Sequence, residues 1–204
     1  MFALVESGTI TQFPKGNKGI TIGDNQYPQS IYTVWTEAER NAIGIYTVTI
    51  DNTNKKNEEF WINTDITYTF TGSAVTGSYG TATAKRLNDE NAVDEDGNNV
   101  LDADGNQVIN YGLKTQYKNK FNAEAAALLS RTDWYVIKAA DVTDYNVPSN
   151  ITTYRAAVRT KVNAMETSID NCSDVDALIT LLTYTEDSEG VVSRPLGEFP
   201  DEVV

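Results

Sequence analysis

Closely spaced carboxylate and carboxamide oxygens are the groups in this chain best suited to chemistry, because a hard cation such as Ca²⁺ is held by oxygens of this kind. They gather in an eight-residue repeat, in which Asp94-Glu95-Asp96-Gly97-Asn98-Asn99-Val100 is echoed by Asp102-Ala103-Asp104-Gly105-Asn106-Gln107-Val108. A calcium loop of the EF-hand type beginning at Asp94 requires glycine at its sixth position and glutamate at its twelfth. Those positions hold Asn99 and Gly105. Asp-Gly followed by Asn is also strong turn chemistry, since these residues tolerate positive φ. The expectation is therefore a solvated hairpin with no cofactor, and Asp94, Asp96, Asp102 and Asp104 are the candidate ligands should Ca²⁺ be held.

Other catalytic schemes lose their usual participants. The chain has no histidine, which removes the common neutral-pH base and the commonest metal ligand. Its one cysteine, Cys172, excludes an internal disulfide. Asp170 and Asp174 flank it, and their negative charge is expected to raise the thiol pKa. Paired carboxylates for glycoside cleavage can come from any part of a chain, but the acids here stand mostly in turns, in the first turns of helices and in the tail, where solvation and helix dipoles account for them. The expected protein is not an enzyme.

Binding residues are easier to nominate. Arg155 and Arg159 lie one helical turn apart, so both can reach one carboxylate, within the chain or on a partner. Trp35, Trp61 and Trp134 could stack on sugars, yet each has apolar neighbours, and packing in a core or an interface is the default. Trp134, Tyr154, Arg155, Arg159 and Trp35 are the candidates for partner contact.

The elements that must position these residues follow from periodicity. Residues 1–87 carry short β-branched and aromatic runs broken by Gly, Asn and Pro: a hairpin over Ala3–Phe13, a connection over 15–30 with one short strand at Ile20–Ile22, and strands at 45–50, 60–62, 65–71 and 79–85. Thr36, Glu37, Glu39 and Gly44 frame a short helix. Residues 88–112 hold seven acids and no Lys or Arg, and form an acidic β-turn connector. From Leu113 the period turns helical, with stripes Leu113, Tyr117, Phe121, Ala125, Leu128 and then Ile151, Tyr154, Val158, Val162, Met165, Ile169. Tyr135–Ile137 between them reads as extended. A third helix opens at the cap Ser173 and buries Val175, Leu178, Ile179 and Leu182, and residues 186–204 read as a loop-rich tail. The fold class is α+β, with a helical hairpin or three-helix bundle over 113–185.

Composition bounds the partners. With 16 Lys+Arg against 29 Asp+Glu the formal charge is -13, a field that repels phosphate backbones. No apolar run approaches the roughly 20 residues needed to cross a bilayer, and the start has neither a basic region nor a cleavage site, so synthesis in a cytoplasm is expected.

Two stretches resemble a known group. Leu128-Leu129-Ser130-Arg131-Thr132-Asp133-Trp134-Tyr135-Val136-Ile137, followed by Tyr154-Arg155-Ala156-Ala157-Val158-Arg159, resembles the LL…TDW…YR…LR pattern of the phage tail assembly chaperone family. Tyr27-Pro28 and Val34–Tyr46 resemble tail-fibre assembly and tail-fibre-associated proteins of tailed phages. The resemblance implies no catalytic residue. It implies tail-fibre or baseplate partners, a symmetric oligomer, and a place in the virion tail after assembly in the host cytoplasm. The β-rich first part and the third helix depart from the short chaperone pattern. The alternative is a host-surface glycan-binding module of the tail, calcium-stabilised, with a polysaccharide-cleaving enzyme as a further rival.

Overall fold

The computed structural model describes residues 1–203 and is α+β, with two compact units meeting in sequence at Thr83 and Ala84.

In the first unit, β1 (Phe2–Glu6) and β2 (Thr9–Gln12) form the expected hairpin, turning through Ser7 and Gly8 at φ 51° and 81°. Positive φ at both central residues gives the turn whose twist matches that of the strands. Residues 15–30 hold two strands instead of one, β3 (Ile20–Ile22) and β4 (Asn25–Tyr27), because Gly23-Asp24 closes a second hairpin. A 3₁₀ turn (Gln29–Tyr32) leads to α1 (Glu37–Ala42). Thr36 caps α1 in a reciprocal box, its hydroxyl accepting from the Glu39 N–H and the Glu39 carboxylate accepting from the Thr36 N–H at 2.8 Å. These bonds hold the Glu39 carboxyl below its ordinary pKa.

After α1 come β5 (Ile45–Asp51), β6 (Trp61–Ile62), β7 (Ile66–Phe70) and β8 (Val75–Tyr79). The last of these corrects the expected strand at 79–85: Gly72, at φ 91°, ends the turn early, and Thr71 and Ala74 close it. That range holds the last residue of β8, Tyr79, and a two-residue strand, β9 (Thr83–Ala84). The main sheet runs β2-β1-β5-β8-β7, antiparallel except for β5 with β8. Phe13, just past β2, meets Tyr68 of β7 with ring centroids 4.6 Å apart, so the sheet nearly closes on itself. Alternation along β1 sends Leu4 into one cluster with Ile20, Ile31, Tyr32 and Ile45, and Ala3 and Val5 into another with Val48 and Val75.

The second unit opens with β10 (Glu90–Asn91), paired to β11 (Ile109–Asn110). Then come α2 (Leu113–Ser130), α3 (Asp133–Asp141), α4 (Ser149–Asp170) and α5 (Val175–Leu182). The buried stripes of α2 and α4 are those read from the sequence, save that Leu128 is only half-buried, and the two helices pack together. Lys118 pairs with Asp170 at 2.8 Å, and Asn122 donates to Glu166 at 2.6 Å across that seam. Asp174, not Ser173, caps α5 by accepting from the Ala177 N–H, while Ser173 donates to Asp174. Of the four residues expected inside α5, Val175 and Leu178 are buried and Ile179 and Leu182 half-buried.

Two expectations are corrected here. Tyr135–Ile137 is helical, because Asp133 supplies an acid to the first turn and Arg155 anchors it. The tail carries a hairpin, β12 (Thr185–Glu186) with β13 (Val192–Ser193). Among the described residues no helix is long and apolar enough to cross a membrane.

Candidate functional site

Helix α3 is apolar along most of its sequence, Trp134-Tyr135-Val136-Ile137, yet buries none of its residues. Ile137 is 67% exposed and Trp134 51%, and Val136 is exposed as well. A helix that forms without covering its apolar side chains has to be held from its ends.

Arg155 of α4 provides the hold. Its guanidinium donates to the Leu129 carbonyl at 2.8 Å and to the Thr132 hydroxyl at 2.7 Å, and pairs with Asp133 at 2.8 Å. Thr132 in turn donates to the Leu129 carbonyl at 3.0 Å. The last turn of α2, the corner, and the first turn of α3 thus converge on one planar cation whose fork geometry suits several acceptors at once. Beside it a cavity of about 260 Å³ is lined by Val136, Val147, Thr152, Arg155 and Arg159. Arg159 is exposed and donates to the Arg155 carbonyl at 3.4 Å. Among the described residues no carboxylate pairs with it. Lys138 lies over the Tyr145 ring at 4.3 Å and over Trp134 at 5.7 Å.

This geometry corrects the reading of the two arginines as a pair sharing one carboxylate. Arg155 is 9% exposed and spent inside the chain, whereas Arg159 faces out. Tyr154, 3% exposed, belongs to the buried face of α4 and is not placed to meet a partner. Trp35 lies in the first unit, half-buried, with Tyr27 edge-on to its ring at 5.9 Å. Of the five candidates, the structure brings Trp134 and Arg159 to the surface of one unit. Val136 and Ile137 join them; their exposure had no signal in an apolar run that fits a buried strand equally well.

The acidic repeat folds as a three-lobed junction. Val93 pairs with Asn99 and Leu101 with Gln107, each closing a lobe, and the β10–β11 stem closes the third. Where the lobes meet, Ala92 N–H donates to Val108, Val108 to Val100, and Val100 to Ala92, at 2.8–2.9 Å. The Gln107 amide nitrogen sits at the centre, 2.9, 3.2 and 2.8 Å from the three carbonyl oxygens, which share its two hydrogens. In each repeat lobe the aspartate carboxylate accepts from its own loop. Asp94 takes the N–H groups of Asp96 and Asn98, and Asp102 takes those of Asp104 and Asn106. Those bonds, Asn98 and Asn106 foremost, hold both carboxyls below the ordinary aspartate pKa. Oxygens engaged in this way are poorer cation ligands, and among the described residues no group of three acidic or thiol side chains could hold a metal ion. The same loop recurs at Asp187, which accepts from the Glu189 and Val191 N–H groups. Cys172 has its thiol pKa raised chiefly by burial, with Asp174 a smaller cause.

The chain matches no protein-family profile, no curated protein and no solved structure.

Proposed function

We propose that this chain is a non-enzymatic bacteriophage tail protein that docks on the tail fibre or baseplate through the exposed face of α3. The observation that carries the reading is a nine-residue helix that buries none of its residues while Arg155 clamps its base. Exposed aromatic and aliphatic side chains grouped this way are what interface cores are made of, and Arg159 beside them supplies a guanidinium for a partner carboxylate. The residue resemblance around Leu128–Ile137 and Tyr154–Arg159 supplies the phage assignment. In this reading an N-terminal β-rich unit, an acidic connector and a C-terminal helical bundle follow one another. The protein acts in tail-fibre attachment or assembly in the host cytoplasm, works as a symmetric oligomer, stays with the virion tail, and binds no nucleic acid and enters no membrane.

The test is co-purification with the fibre or baseplate protein expressed in the same cells. Trp134→Ser combined with Ile137→Ser should abolish capture and leave the circular-dichroism melting curve in place, since neither side chain is buried. Capture that persists at wild-type yield would contradict the assignment of this face.

A further inference from the structure

The first unit contains a cavity that fibre docking does not use. Residues Gln12–Ile20, read Gln-Phe-Pro-Lys-Gly-Asn-Lys-Gly-Ile, line it together with Tyr32 and enclose about 430 Å³, inside the roughly 300–1,000 Å³ span of small-molecule sites. In a chain of net charge -13 this stretch has two lysines and no acid. Among the described residues neither Lys15 nor Lys18 pairs with a carboxylate.

Two glycines lay the loop against the aromatic wall. Gly16 takes φ +72°, and a Cβ there would rest 3.4 Å from the Phe2 ring and 3.5 Å from the Tyr32 ring. A Cβ on Gly19 would come within 2.5 Å of the Tyr27 carbonyl oxygen, which only glycine avoids. The Gly16, Asn17 and Lys18 N–H groups donate to no described residue. Tyr32 is 7% exposed and stands against Phe2 at a centroid distance of 4.9 Å, and among the described residues its buried hydroxyl has no hydrogen-bond partner. A buried hydroxyl is normally satisfied, but this one is shut off from water, so the ring beside Gly16 is the part of Tyr32 that a ligand in the cavity can meet.

We infer that this cavity binds a small ring-bearing oxyanion, a sugar carrying a carboxylate or a phosphate. Lys15, Lys18 and the loop N–H groups take the anion, and the Phe13 and Tyr32 rings face the body of the sugar. The overall negative charge favours a single small anion over a polyanion, which the far field would repel. This site is independent of the fibre-docking reading and stands without it.

The experiment is a titration of the ¹⁵N-labelled full chain followed by amide shifts, with galacturonic acid, galactose 1-phosphate, inorganic phosphate and neutral galactose as probes. Saturable shifts at Gly16–Gly19 are expected with one or both of the charged sugars, which separates the carboxylate from the phosphate source, while inorganic phosphate binds more weakly and neutral galactose not at all. Lys15→Ala with Lys18→Ala should weaken binding at least about tenfold. Absence of shifts with every probe, equal binding of neutral galactose, binding of phosphate alone as tight as that of the sugar phosphate, or affinity unchanged in the double lysine variant would overturn the proposal.

Discussion

Arg155 and Arg159 share an element and a spacing, but their surroundings divide their roles. Arg155 meets the Leu129 carbonyl, the Thr132 hydroxyl and Asp133, while among the described residues Arg159 has only a long contact to the Arg155 carbonyl. Asp133 is half exposed, so its ion pair is discounted for solvent screening, and the buried bonds to Leu129 and Thr132 carry most of the effect. Arg155→Ala should cost about 2–3 kcal/mol in urea unfolding, and Arg159→Ala should stay within about 0.5 kcal/mol. Equal losses for the two variants would contradict this division. The sequence shows that both guanidiniums lie on one helical face. It cannot show which of them finds the α2–α3 corner, because that depends on residues more than twenty positions away, brought near only by the packing of α2 on α4.

The acidic lobes are elements stabilised almost wholly by their own loops, and this gives them a pH dependence of definite sign. Asp94 and Asp102 are held below the ordinary aspartate value of 3.8 by accepting backbone N–H groups, so the charged form is favoured in the fold. A depressed carboxyl contributes stability that is fully present above its unfolded pKa and is lost as pH falls through the lower native one. The amide resonances of Asn98 and Asn106 should therefore titrate with midpoints below 3.8, each following the carboxyl it is bonded to. Midpoints at or above 3.8 would show that the loop bonds do not persist in solution. Asp-Gly-Asn made two of these loops legible in the sequence. The third, at Asp187, was hidden because Glu189 and Val191 stand where the others carry the Asp and Asn of that signature, although Gly190 and the accepting Asp187 are kept. Helix α3 was hidden for a different reason: β-branched Val136 and Ile137 favour a strand locally, and the clamp that makes them helical comes from another element. The long stripes of α2 and α4 were legible because each repeats over several turns and buries against the other.

For the whole molecule, the α+β class and the short helix framed by Thr36 and Gly44 follow from local pattern, whereas the parallel pairing of β5 with β8 does not, since strand order is set by contacts distant in sequence. The charge of -13 keeps the surface acidic, and against that background Lys15 with Lys18, and Arg159 beside α3, are the places where a partner's negative group would be welcome. The tail-protein reading rests on the α3 face and on the residue resemblance together. It is tested most directly by quantitative mass spectrometry of gradient-purified virions and of tail-containing fractions from the infected lysate, counting copies of this chain per copy of the fibre protein. A fixed integral ratio in the purified virions is the predicted result. Absence of the chain from virions that carry the fibre protein would contradict the reading.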